Sequence, residues 1–510
     1  MTTVNREQNS VDQRERYDAL IGRYGKAKQR RGNWETHWQE CYDYALPQRG
    51  DFSFSMIAGS KRTDKLYDGT ALDAVDQLAA SLLGNLTPPW TQWFGFIPGP
   101  DLSSAEAERL APVLEETAKI IQSHFDRSNF SVELHQCFLD LVVGGTATLM
   151  FEEAEPGSFS AFKFTSVPLQ TSVLEEGESG FLDSMFREVD LTLAQIYARY
   201  PLAVLPPSIV SHGEKDTQER FKVLESILPE DGVYNYTALL LEEGQKTLLS
   251  EGRFGSNPAI SFRWMKSPGE IYGRSPVMKA LPDIKTANKV VELVLKNASI
   301  SVTGIWQADD DGVLNPANIE LVPGAIIPKA VGSQGLKPLE MPARFDVSEL
   351  VLNDLRSRIR HALLADKLGQ ISERRMTATE VLERSSEMAL ILGATYGRLQ
   401  SELLTPLVKR AFSILKRRGE IPDVTLDGRY VSLDYRSPLA RAQGQRSVQN
   451  TLTWINSVMA MGPQASIGVD LFRAAQFLGE ALGVPSDLIR KEVPLPGINT
   501  QQEGQDNAVQ

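Results

Sequence analysis

The stretches DIKTANKVVELVLKNAS (283–299) and DVSELVLNDLRSRIRHALLA (346–365) decide how this chain is organised. In the first, Ile284, Ala287, Val291, Val294 and Ala298 recur at steps of three and four, which predicts a helix with a narrow apolar seam on one face. In the second, Leu352, Leu355, Ile359 and Ala362 repeat the pattern, and Asp346 and Glu349 stand where an N-cap and its N3 partner would. Between the arms, Ser301 to Met341 is rich in Gly, Pro and β-branched residues. Two helices that leave a body and return to it make a stalk with a head. So thin a seam buries too little apolar surface to hold one hairpin upright, which points to many copies side by side; an ordinary helical hairpin packed within one domain is the alternative.

Around this stalk the chain changes period twice. Up to about residue 145 it reads as helices: one capped by Asn33, with Trp34, Trp38, Cys41 and Ala45 on one face and Pro47 after it; one opened by Asp68-Gly69-Thr70; and two more near 104–126 and 131–143. From Thr146 to about Arg263, runs such as TATLMFEE, FLDSMFREVDL, FKVLESIL and VYNYTALLLEE alternate with period two, predicting an antiparallel sheet interrupted by a short helix at Leu193–Arg199. SVTGIW, ELVPGAIIPKA and LKPLEM read as strand-like pieces of the head. After the returning arm, Thr377 and Glu380 match a capping box. A long stripe follows through Leu382, Met388, Leu392, Leu399, Leu403, Leu407 and Leu415, kinked at Pro406 and ending in a basic last turn before Gly419. A last helical group lies between Ser447 and Arg490, and the residues from Pro494 read as a disordered tail.

Composition narrows the function. The chain has 510 residues, room for about three packed units. Its 53 Lys plus Arg against 65 Asp plus Glu give a net charge of -12, which argues against tight phosphate gripping over a large surface. The two cysteines, Cys41 and Cys137, are too few for a disulfide framework or structural zinc site and read as core residues. No apolar run is long enough to span a bilayer. No phosphate-binding loop, dinucleotide fingerprint, zinc-protease helix or nucleophile elbow is present, and His135 with Cys137 is at most half a metal site. No catalytic residue, metal or cofactor is expected. The acidic turn Asp309-Asp310-Asp311 lacks calcium-loop spacing; it reads as a solvated turn or a docking patch. Lys367, Arg374 and Arg375 read as a solvated linker or, if the arms line a channel, as a loop touching phosphates transiently.

The order of these elements resembles the head-to-tail connecting, or portal, protein of short-tailed bacteriophages. The resemblance runs from RYGKAKQRRGNWETHWQECYDYALPQ (23–48) through KLYDGTALDAVDQLAASLLGNLTPPWTQWF (65–94) to RRMTATEVLERSSEMALILGATYGRLQSELLTPLVKRAF (374–412), and YDGTALDAVDQLAASLLGNLTPP is its most specific part. It implies an α+β subunit with a helical stem, a β-containing clip, a mixed α/β wing and a helical crown. On this chain the wing would be 1–274 with 377–437, the stem 275–300 and 345–365, the clip 301–344, the channel loop 366–376 and the crown 438–493. Also implied are a ring of about twelve copies at one capsid vertex, assembled in the host cytoplasm with capsid and scaffolding proteins. A terminase packaging motor and then tail adaptor proteins would dock on the clip while double-stranded DNA passes through, with no membrane partner. Stem packing would fall to Ile284, Ala287, Val291, Val294, Leu352, Leu355 and Ile359, the channel loop to Lys367, Gln370, Ser372, Arg374 and Arg375, and clip docking to Asp309, Asp310, Asp311, Lys329 and Lys337.

Elementary geometry agrees with such a ring: twelve helices each ~10 Å wide close a circle with a lumen of roughly 28 Å, room for a duplex whose grooves are ~8.5 Å deep. An acidic chain also suits a conduit, since strong phosphate contacts would raise a barrier at every step of transit. Two other readings stay open: a magnesium-dependent nucleic-acid-processing enzyme using Asp309, Asp310, Asp311 and Glu320, and a capsid or scaffolding protein that forms no channel.

Overall fold

The computed structural model describes residues 2–49, 52, 61–89, 91–242, 245–303, 306–307, 337–338, 345–365, 393–424, 426–461 and 469–482. The fold is mixed α and β, and it divides into two compact units where length alone suggests about three. The first takes in described residues of 1–83, 124–371 and 397–421, the second those of 84–123, 372–396 and 422–510.

The first unit is organised on helix α1 (Thr2–Ala45), which does not begin at Asn33 but far upstream of it and is 44 residues long. Gly22, Gly25 and Gly32 each cost about 1 kcal/mol against alanine in a helix, yet they lie on the exposed side. The opposite side buries Tyr17, Tyr24, Ala27, Arg31, Trp38, Cys41 and Ala45, and that packing overrides propensity. Helix α2 (Thr70–Leu86) starts where the Asp-Gly-Thr sequence predicts and passes Gly84 before stopping.

Helix α4 (Phe130–Gly144), which follows α3 (Ser104–Asp126), ends on Gly145 in a left-handed conformation with φ 78°. A Cβ there would stand 2.2 Å from the Gly273 carbonyl oxygen, so only glycine allows the helix to turn directly into strand β2 (Thr146–Glu153). Strand β2 pairs antiparallel with β3 (Phe162–Val167) and β9 (Ala259–Arg263). A five-stranded antiparallel meander follows: β4 (Ser172–Glu176), β5 (Leu182–Thr192), β6 (Arg220–Glu230), β7 (Val233–Glu242) and β8 (Gln245–Phe254). Tyr24 and Ala27 of α1 pack with Val173, Phe186 and Leu224 of this sheet. Ile196 of α5 (Leu193–Arg199) and Ile209 of α6 (Pro207–Lys215) pack with Val223, Ala238 and Leu240. Strands β4 and β8 and helix α6 are absent from the sequence reading.

The long helix after the stem is described from α9 (Gly393–Leu399) through a π-helical turn (Gln400–Leu404) to α10 (Thr405–Arg418). Pro406 has no N–H to give to the Glu402 carbonyl, and the chain inserts a wider turn just before it, with Thr405 N–H reaching back to Gln400 O. Buried Glu402 meets buried Arg263 of β9, Oε1 to Nη2 2.7 Å. The basic last turn closes on Gly419 as expected.

In the second unit, β1 (Phe94–Pro98) pairs antiparallel with β12 (Val431–Tyr435), which corrects the reading of the first 145 residues as wholly helical. The partner of β1 lies far down the chain, and WFGFIP is too continuously apolar to show a period of two. Helices α11 (Pro438–Ala460) and α12 (Leu471–Leu482) pack on each other in the region expected to be crown.

Candidate functional site: the paired stem helices

Helices α7 (Pro276–Thr303) and α8 (Phe345–Ala362) both belong to the first unit, and α8 packs along α7. Both exist where the heptad pattern predicts. Helix α7 runs further at both ends, so Ser301, Val302 and Thr303 are helical and not strand, and α8 starts one residue before Asp346. Arg358 near the end of α8 pairs with Asp283 near the start of α7, Nη2 to Oδ1 3.0 Å, so the helices run in opposite directions.

Burial grades along the pair. At the base, Ile284 and Ala287 of α7 are buried, as are Leu355 and Ile359 of α8. Further out, Val291, Val294, Ala298 and Leu352 are only half-buried. On the same outer stretch four apolar side chains are left open: Leu293 at 49% exposure, Leu295 at 53%, Leu350 at 73% and Val351 at 45%. These four stand outside the a/d seam, and heptad counting alone misses them.

The base is fixed by a polar seat. Asn288 of α7 accepts N–H bonds from Tyr67 (2.6 Å) and Asp68 (3.1 Å) at Oδ1, and its Nδ2 donates to the Lys65 carbonyl at 2.8 Å. Arg356 of α8 donates through Nε to Asp68 Oδ2 at 2.8 Å, while Asp68 Oδ1 accepts from Thr70 N at 3.0 Å. Burial pushes the Asp68 carboxyl up, but the bonds from Thr70 and Arg356 outweigh it and hold it below its usual range. A second tie joins α7 to α1, from Lys285 Nζ to Glu40 Oε1 at 3.1 Å. Three residues of the loop before α2, Lys65, Tyr67 and Asp68, thus clamp both arms, and this loop opens the YDGTALDAVDQ stretch that carries the resemblance.

A family model for the bacteriophage head to tail connecting protein matches residues 17–489, a span that takes in both arms and the seat. The chain belongs to this family. It is similar to the probable portal protein of Bordetella phage BPP-1, 26% identical over 96% of this chain and 92% of that protein. The portal protein of Salmonella phage epsilon15 is 25% identical over 97% of this chain and 92% of its own length, and that of Escherichia phage T7 is 25% identical over 79% and 75%. Among solved structures, a chain of the native gene transfer agent virion aligns at a TM-score of 0.34 with 12% identity over 78% of this chain and 90% of that one. So loose an overlap carries no argument.

In this connecting protein the candidate clip residues Asp309, Asp310, Asp311 and Lys329, and the candidate channel-loop residues Lys367, Gln370, Ser372, Arg374 and Arg375, lie outside the described residues, as do Thr377 and Glu380. Lys337 falls in the two-residue strand β11 (Lys337–Pro338), paired antiparallel with β10 (Trp306–Gln307). Among the described residues no group of three or more His, Cys, Asp or Glu side chains could hold a metal ion, and no helix is long and apolar enough to cross a membrane. Cys41 and Cys137 are buried, and burial pushes both thiols up to about 12. Asn288 and Arg356, and the bonds that Asp68 makes with Arg356 and Asn288 beyond opening α2, are what sequence reading missed. The available signal was an asparagine beside the apolar seam, one residue after Ala287.

Proposed function

We propose that this head-to-tail connecting protein closes into a ring of about twelve copies around an opening for double-stranded DNA. The observation that carries this reading is the open apolar set Leu293, Leu295, Leu350 and Val351 on a hairpin whose own seam is already filled at its base. Burying such side chains stabilises by ~25 cal/mol per Å², and repeated around a closed ring the gain holds each hairpin upright against its neighbours. The seat of Asp68, Asn288 and Arg356 sets the angle at which the hairpin leaves the body, so that all copies present it alike.

In this reading the chain breaks no bond and needs no cofactor. It supplies shape and docking surfaces at one capsid vertex, assembled with capsid and scaffolding proteins. A packaging motor docks on the clip, where Asp309, Asp310, Asp311, Lys329 and Lys337 are its candidate contacts, and tail adaptor proteins dock later. Lys367, Gln370, Ser372, Arg374 and Arg375 form the loop that meets passing DNA. Native mass spectrometry tests the proposal: a closed oligomer of a dozen or so copies supports it, and a monomer at every concentration refutes it.

A further inference from the structure

The five-stranded meander is covered on both faces. Tyr24 and Ala27 of α1 pack on the face of Val173, Phe186 and Leu224, and α1 is tied to the stem through Glu40 and Lys285. Because successive residues of a strand point to opposite sides, Val223 belongs to the other face, which α5 and α6 cover. The stretch LTLAQIYARYPLAVLPPSIVS (191–211) that makes this second layer holds a single charged residue, Arg199, and that one stands 2.6 Å from Glu225 Oε1. Between the two helices, Ala203 and Leu205 pack inward against the cluster of Ile196, Phe221 and Leu249. Leu202 and Val204, the alternate residues, are 95% and 82% exposed. Pro201, Pro206 and Pro207 flank them, and Pro206 has polyproline geometry, φ -60° and ψ 145°. Single exposed apolar side chains are ordinary on a protein surface. Two turned outward together by inward anchors and prolines, in a stretch with no unpaired charge, are not.

We propose that Leu202 and Val204 dock into an apolar groove of the shell protein that surrounds the ring, an inference that rests on the ring reading above. The strip lies on the face of the meander opposite α1, so arms that line the opening leave it turned away from the DNA, and it has no free cation to offer a phosphate. An extended segment already fixed by prolines loses little freedom on binding and is recognised by a partner that supplies the groove. The chain carries a net charge of -12, and a charge-free strip lets an apolar groove close on it without stripping water from ions. A second copy docking strip to strip would bury far less than the ~800 Å² per partner of a stable interface. One docked strip is a weak contact too, but about a dozen acting together against an array of shell subunits hold firmly.

Surface plasmon resonance of assembled full-length rings over the immobilised shell protein of the same phage tests the contact. Wild-type rings are expected to bind, Leu202→Asp with Val204→Asp to bind at least tenfold more weakly, and Leu202→Met with Val204→Ile to bind like wild type. Native mass spectra and the melting midpoint of the aspartate variant should match those of the wild type, since neither side chain belongs to a core. Excess peptide YPLAVLPPS (200–208) should compete. Rings that do not bind the shell protein, unchanged binding in the aspartate variant, or a loss seen only toward the scaffolding protein or between rings overturns the inference and leaves the ring reading standing. A chain that forms no ring overturns that reading and this inference together.

Discussion

Replacing Asn288 by alanine tests the seat most sharply, because one side chain makes three bonds to the loop before α2. The change removes the acceptor for Tyr67 N (2.6 Å) and Asp68 N (3.1 Å) and the donor to Lys65 O (2.8 Å). Tyr67 is 42% exposed and water can reach its amide, but Asp68 is buried and its N–H is left unpaired. A net bond contributes about 1 kcal/mol and an orphaned buried group costs about 1–3, so the loop and the arms should loosen by roughly 2–4 kcal/mol. A melting curve reports global loss of structure in a chain with two compact units and dilutes so local a change. Hydrogen exchange reads the local opening directly. Amides of 65–70 and of the first turns of α7 should lose protection by roughly 30- to 700-fold, while strands β6 and β7 stay unchanged. If exchange at 65–70 moves less than threefold, the seat does not hold the stem.

The stem's open side chains give the next test: Leu350→Glu with Leu293→Glu should leave the isolated chain's stability within about 0.5 kcal/mol and abolish ring formation in native mass spectra. Breaking the buried Arg263–Glu402 pair from one side, by Glu402→Gln, should cost about 3–5 kcal/mol in the first unit and lower its thermal midpoint. Replacing both residues by apolar ones of similar volume should recover most of that loss. Burial pushes the Asp140 carboxyl up to about 6, against the opposing pull of Arg49 and Tyr42. The folded state therefore holds this proton more tightly than the unfolded chain does. The associated stability, on the order of 2–3 kcal/mol, is complete below pH ~4 and is lost as pH rises through about 6. Asp140→Asn should flatten the melting midpoint between pH 4.5 and 7, and parallel curves for the two proteins would contradict the assignment.

Periodicity made the stem legible because an apolar seam repeated in two arms is a local signal, and the buried Ile284, Ala287, Leu355 and Ile359 sit where that signal puts them. The same holds for β2, β5, β6 and β7, which alternate, and for α5, whose Thr192 and Gln195 form a complete capping box. Strand β8 was illegible for a physical reason: QKTLLSEGRF pairs with a neighbour on one side, and edge strands carry polar residues without alternation. The start of α1 was misplaced because Gly22, Gly25 and Gly32 suggest breaks that the packing of Tyr17, Tyr24 and Arg31 overrides. Arg31 illustrates why: its guanidinium donates to the Gln170 and Ser172 carbonyls, 2.8 and 2.9 Å away, partners that no local spacing reveals. The seat escaped for the same reason as β1, since Asn288 and Asp68 are brought together by the fold and not by spacing.

Electron cryomicroscopy of the purified full-length protein measures the central claim directly. A closed ring is predicted, with α7 and α8 of adjacent copies in contact through Leu293, Leu295, Leu350 and Val351 and an opening of about 28 Å or a little less, wide enough for a duplex. Particles without an opening, or rings in which those four side chains face solvent and the arms touch no neighbour, would contradict it.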